Sequence, residues 1–182
     1  MTMPHAEDII QFWFHEVPSQ AWFTKDLDFD KLIKQRFEKV LIQAKCGELY
    51  SWRITPQGRL AEIIVLDQFS RNIYRDTPAA FEADPIALVL AQEAVARKVD
   101  VELKPKQVPF LYMPYMHSES PAIHQIALSL FNREAAKGNL EFELRHKAII
   151  DRFGRYPHRN VILGRVSTDA ERLFLTESGS SF

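Results

Sequence analysis

Apolar residues recur at intervals of three and four along nearly the whole chain, and helix-start and helix-stop signals punctuate them. Residues 6–16 place Ile9, Ile10, Phe12, Trp13 and Phe14 on an apolar face, and Pro18 ends the segment. Residues 30–46 carry a stripe of Leu32, Ile33, Phe37, Val40, Leu41 and Ala44, with Gly47 placed just past the end. A third helix follows Thr55-Pro56 through Leu60, Ile63, Ile64, Leu66 and Phe69. Asp84-Pro85 reads as an N-cap with proline behind it, opening a helix to about Lys98. Ser120-Pro121 opens another in the same way, running to Ala136 with Gly138 closing it. Residues 140–153 end at Gly154, and Thr168 with Glu171 is a capping box for a short last helix. No strand alternation competes, and Ile63-Ile64-Val65-Leu66 sits inside a longer helical period. The expectation is an all-α fold of at least seven helices.

Composition narrows the function classes. With 182 residues, 46% of them hydrophobic and 26% charged, the chain suits one helical domain over 1–182, with a frayed tail at 178–182. Lys and Arg number 23 against 24 Asp and Glu, so bulk charge disfavours nucleic acid as a partner. Cys46 stands alone, which excludes an intrachain disulfide and a cysteine zinc site; beside Gly47 it reads as a half-buried structural thiol. The N-terminus carries Glu7 and Asp8 and lacks the basic-then-apolar order of a signal peptide. No apolar run approaches the ~20 residues of a membrane span. A cytoplasmic location without membrane contact is expected.

Three segments are too polar for simple packing. In 67–75, Asp67, Arg71 and Arg75 fall at i, i+4 and i+8 on one helical face, with Asn72 among apolar neighbours. A partly buried ion pair near a helix end is the expectation; an ordinary surface salt bridge is the alternative. In 110–121, bulky apolar residues lead into His117-Ser118-Glu119 between Pro114 and Pro121, which pin the backbone as a loop. His117 and Glu119 then form a proton-transfer pair, unless the triplet only caps helices. Ser118 lacks the Gly-x-Ser-x-Gly setting of a nucleophile.

The segment 145–165 carries the strongest signal. It holds six basic residues, Arg145, Lys147, Arg152, Arg155, Arg159 and Arg165, against the single acid Asp151. Arginine forks suit carboxylate or phosphate, and Pro157 stiffens a turn bearing Arg155, His158, Arg159 and Asn160. A solvated basic face is the alternative. His117, His146 and His158 with Glu119 could in principle converge on a metal, but no metal-ligand spacing occurs among the six histidines, so none is assigned. His124, among Ile123, Ile126 and Ala127, reads as a core histidine, and His5 and His15 carry no signal.

The runs Asp67-Gln-Phe-Ser-Arg-Asn72-Ile-Tyr-Arg75, Tyr112-Met-Pro-Tyr-Met-His117-Ser-Glu119 and Phe153-Gly-Arg-Tyr-Pro-His-Arg-Asn160 together resemble an uncharacterised bacterial family, domain of unknown function 924. The resemblance spans roughly Ile10 to Leu175. It implies antiparallel helix pairs in a tetratricopeptide-like right-handed superhelical stack, although no classical repeat signature is present. It implies no reaction, cofactor or catalytic residue.

The site residues therefore rest on the chemistry of the three segments. The candidate catalytic groups are His117, Glu119 and His158. The candidate ligand-binding groups are Asp67, Arg71, Asn72, Arg75, His146, Arg152, Arg155, Arg159, Asn160 and Arg165. The two proline-braced segments are expected to face each other across a pocket with an excess of positive charge, taking a small phosphate- or carboxylate-bearing ligand and needing no cofactor. Arginine proximity would lower the pKa of His117 and keep Glu119 ionised. Two other readings are an interaction module that takes an acidic peptide, and RNA contact through Tyr156 and the basic segment.

Overall fold

The computed structural model describes residues 4–181. Its α-helices are α1 (Ala6–Gln11), α2 (Leu27–Lys45), α3 (Pro56–Ile64), α4 (Ser70–Ile73), α5 (Asp84–Ala96), α6 (Val108–Met116), α7 (Pro121–Phe131), α8 (Leu140–Phe153) and α9 (Asp169–Phe174). Short 3₁₀ and π turns join them, and no strand occurs among the described residues. No helix among them is long and apolar enough to cross a membrane.

Local chemistry accounts for most boundaries. Asp26 starts α2 by accepting from the backbone N–H groups of Asp28 and Phe29, three residues earlier than the apolar stripe alone indicates. Thr55 caps α3 by accepting from the Gly58 N–H. Gly58 is required there: a Cβ would lie 1.9 Å from the Trp52 carbonyl oxygen, and that atom is backbone. Gly154 closes α8 in the left-handed region, at φ 69°. The Thr168–Glu171 capping box forms as expected.

Three expectations change. The helix expected to reach Ala136 stops at Phe131, because Arg133 is extended, and Gly138 lies in the following 3₁₀ turn, Glu134–Asn139. Asp84 is not a cap: Ala83 holds that position, and Asp84 sits inside α5 with its carboxylate turned to arginines. Cys46 is exposed rather than half-buried.

Helix α6 is the centre of the packing. Every residue from Val108 to Met116 is buried, and α3, α5 and α7 lie against it. α1 packs on α3, α2 on the π turn Val65–Phe69 and α4, and α8 on α7. The main core holds Ile9, Phe12, Trp13, Phe37, Phe69 and Phe131. A smaller cluster of Ile149, Ile150, Tyr156 and Phe174 lies at the C-terminal end. Of the expected frayed tail, 178–182, the described part reaches residue 181. Ser180 there is buried, and its hydroxyl donates to the Leu175 carbonyl.

Candidate functional site

The segment between α3 and α4 winds as a π turn, Val65–Phe69, and Ala61 to Ser70 are all buried. A π turn admits one extra residue per turn, and such turns are frequent at functional sites. Asp67 lies on it with 1% of its side chain exposed. A carboxylate so enclosed needs partners, and it has three. Its Oδ1 meets His117 Nδ1 at 2.7 Å, its Oδ2 accepts from Gln68 Nε2 at 2.6 Å, and Arg71 Nη1 stands 3.4 Å from Oδ1. His117 caps the C-terminal end of α6. Pro114, expected to brace a loop, instead lies inside α6, so the histidine is held by a buried helix rather than by a pinned loop.

Two arginines flank this pair. Arg71 donates twice to Asp84, at 2.8 and 2.9 Å, and also to the Asp67 carbonyl. Arg159 is 6% exposed, donates to the His117 carbonyl at 3.1 Å, and reaches the same Asp84 only at 3.4 Å. Its guanidinium lies between the rings of Phe81 and Tyr156, 4.5 and 4.6 Å from their centroids, and its Nε has no acceptor among the described residues. One carboxylate thus serves two guanidiniums, and Arg159 has the weaker share.

The charge states follow. Burial opposes ionisation of Asp67, but the His117 ring and Arg71 outweigh it and hold the carboxyl below its usual range. Burial, then Arg71, lowers the pKa of His117, with Asp67 opposing. At neutral pH Asp67 is ionised and can only accept, so Nδ1 of neutral His117 carries the proton. Nε2 then presents a lone pair, and it has no partner among the described residues. The side chain is 15% exposed.

A second network borders the first. Glu119 is not turned to His117, contrary to the proton-transfer pair expected of them; it accepts from Arg165 at 2.6 and 2.9 Å and from the Tyr156 N–H at 2.7 Å. Burial works against its ionisation, but Arg165 and the Tyr156 N–H hold its pKa down. Arg155 grips Glu171 at 2.6 and 2.8 Å, and Asn160 joins Glu171, Ser167 and Arg165. The Tyr156 hydroxyl donates to the Met116 carbonyl. The His117–Glu119 segment and the 155–160 turn are therefore in direct hydrogen-bonded contact, through Glu119 and the Tyr156 N–H and through Arg159 and the His117 carbonyl.

The excess of positive charge does not survive. Arg71, Arg155, Arg159 and Arg165 meet Asp67, Asp84, Glu119 and Glu171, and all four acids come from outside the basic segment. Asp67 and Arg71 do form the partly buried i, i+4 pair expected of them, at 3.4 Å. Arg75 does not join their face: α4 ends at Ile73, and Arg75 turns to Asp30 at 2.5 and 2.8 Å, where Asn72 also donates. Those residues tie α4 to α2 and lie outside the histidine centre. Arg152 lies over Phe153 and Phe174 at the outer surface. His146 packs edge-on to Tyr156, and its Nδ1 donates to the Phe142 carbonyl at 2.7 Å. His158 flanks the same tyrosine ring. Burial depresses both imidazoles, His146 to about 3 and His158 to about 4. No group of three or more His, Cys, Asp or Glu among the described residues could hold a metal ion.

Sequence reasoning missed Asp84, which was assigned to a cap, and Glu171, which was read only as half of a capping box. It placed His124 in the core correctly but not in a network. His124 is fully buried, meets Glu143 at 2.8 Å and the Ser118 carbonyl at 2.9 Å, and lies 3.2 Å from the Tyr156 hydroxyl. The signal was present as a Glu in the apolar stripe of 140–153.

Comparison places this arrangement among other chains. The model of a bacterial protein family of unknown function, domain of unknown function 924, matches residues 9–179. The chain belongs to that family. A solved structure of a protein of unknown function from Agrobacterium tumefaciens is similar over 93% of this chain and 96% of that one, at 37% identity and a TM-score of 0.88. No curated protein matches. The family contributes the fold, and the chemistry has to be argued from the residues above.

Proposed function

We propose that the protein binds a small phosphate- or carboxylate-bearing molecule beside His117, with His117 Nε2 as proton acceptor. The observation that carries this reading is the Asp67 Oδ1–His117 Nδ1 contact of 2.7 Å, which fixes the tautomer that turns a lone pair outward. Arg159 supports it. Its buried Nε lacks an acceptor, and its ion pair is long at 3.4 Å, so an entering anionic oxygen would satisfy a donor the fold leaves open. His158 stands next to Arg159 as the second candidate proton carrier, and burial keeps it neutral.

Calorimetry of the parent, Arg159→Met and His117→Gln with inorganic phosphate and with succinate tests the reading. Saturable binding by the parent, weakened about tenfold or more in Arg159→Met, is expected. Parent protein that takes up neither anion more tightly than chloride rules the reading out.

A second reading is a tetratricopeptide-like stack that presents a surface to an acidic peptide. The successive packing of α5, α6, α7 and α8, each on the next, supports it. The contacts of α1 with α3 and of α3 with α6 depart from simple neighbour-on-neighbour stacking. Failure of every small anion together with capture of an acidic peptide would favour this second reading.

A further inference from the structure

A separate groove opens beside the N-terminal half of α6. Its volume is about 360 Å³, the scale of a small-molecule site. Trp22, Phe23, Phe110 and Met113 supply its apolar lining, and Lys106 and Asn139 supply polar groups. Phe23 is 66% exposed, an unusual state for a phenylalanine in contact with other aromatic rings. Its ring lies nearly parallel to that of Phe110, at 9° and 6.2 Å, and Trp22 meets Phe110 edge-on at 4.9 Å. The Trp22 indole N–H is already used by the Trp13 carbonyl at 2.9 Å, so this wall offers hydrocarbon alone.

Lys106 differs from a freely solvated lysine. Its ammonium donates to the Phe14 carbonyl at 3.1 Å and lies 5.7 Å from the Phe14 ring centroid. It has no carboxylate within ion-pair distance among the described residues. A cation held in place beside an apolar aromatic groove complements a ligand with an apolar body and one negative end.

We propose that this groove binds a small carboxylate that carries a planar aromatic ring, the ring against Phe23 and Phe110 and the carboxylate on Lys106. The site is distinct from the His117 centre. Met113 links the two among the described residues: its sulfur lies 3.5 Å from Gln68 Nε2, and Gln68 in turn donates to Asp67. The proposal does not depend on the anion reading of His117.

The test uses the full chain, with 3-phenylpropionate as probe and 3-phenylpropionamide as its uncharged counterpart. Binding is read by calorimetry and by quenching of tryptophan fluorescence. The acid should bind saturably and at least about tenfold more tightly than the amide. Lys106→Met should remove that preference while leaving amide binding unchanged, and Phe23→Ala should weaken both ligands. Both side chains are exposed, so neither variant should compromise folding. Three results overturn the proposal: no saturable binding below about 10 mM, equal affinity for acid and amide, or an unaffected Lys106→Met variant. Loss of acid binding in Arg159→Met with Lys106→Met unaffected would place the ligand at His117 instead, and would also overturn it.

Discussion

Arg165 closes on Glu119 through two nearly parallel contacts of 2.6 and 2.9 Å, and the two residues lie 46 positions apart. The pair fastens the end of α6 to the turn after α8, because Glu119 also accepts from the Tyr156 N–H. Both side chains keep about a quarter of their surface exposed, 23% for Arg165 and 26% for Glu119, so the pair is screened only in part. Glu119→Gln should cost about 1–3 kcal/mol. The reverse-charge double variant, Glu119→Arg with Arg165→Glu, should recover little, since Tyr156 N–H then lacks its acceptor. Urea melts of the single and double variants measure this. Full recovery would show that the backbone contact contributes nothing.

Asp67 is the residue whose loss should be felt most. Asp67→Ala leaves His117 Nδ1 without its acceptor and Gln68 with only the Met113 sulfur, and it removes the second anion near Arg71, which predicts a loss of about 3–5 kcal/mol. Asp67→Asn separates stability from chemistry. An amide can donate to Nδ1, which would move the imidazole proton to Nε2. Nitrogen NMR of labelled histidine should report Nδ1–H in the parent and Nε2–H in the variant. An unchanged tautomer would contradict the role given to the carboxylate.

Acid should weaken the fold in a first window set by histidines. His146 and His158 are depressed to about 3 and about 4 by burial. The unfolded chain takes up their protons near the ordinary value of 6.5, and the folded chain does not. Their contribution is complete above pH 6.5 and is lost as pH falls toward 3–4. His146→Gln should therefore flatten the fall in Tm between pH 6.5 and 4, whatever its effect at pH 8. An unchanged slope would count against the buried neutral imidazole.

A second window belongs to Glu171. Its hydrogen bonds from Arg155, more than any other influence, hold it at about 2, below the ordinary 4.5. Its contribution is present above pH 4.5 and fades as pH falls through 2. Glu171→Gln should reduce the pH dependence of stability in that interval and loosen α9, which also loses the acidic half of its capping box. Denaturant melts between pH 5 and 2 decide the point.

The helices were legible because caps and apolar spacing are local. Gly154, Thr168 and Pro56 mark ends that the structure keeps. The polar residues were legible as unusual but not as partners. Arg71, Arg155 and Arg165 read as ligand-binding groups because their acids, Asp84, Glu171 and Glu119, lie 13 to 46 positions away. Local charge counts cannot register neutralisation across the fold. Asp84 was masked by its position before a proline, where capping is the commoner role. Asp67 and Arg75 were placed on one face because the i, i+4, i+8 rule assumes unbroken α-helical winding, and α4 ends at Ile73.

The π turn makes the chain's length between Ile64 and Ser70 a structural parameter. Each residue of an α-helix advances the winding by about 100°. Deleting one residue from Val65–Phe69 would restore regular winding without orphaning a backbone donor, so the edit is mild for the helix itself. The wide turn spends its extra residue on circumference, so everything downstream would keep nearly its present phase. Arg71 would stay turned toward Asp84, and Asn72 and Arg75 toward Asp30, whereas a deletion within the regular winding of α3 would swing all three away by the full angle. The turn thus absorbs one residue between two halves of one helix, and single deletions across 65–69 that spare Asp67 would be tolerated better than deletions within α3.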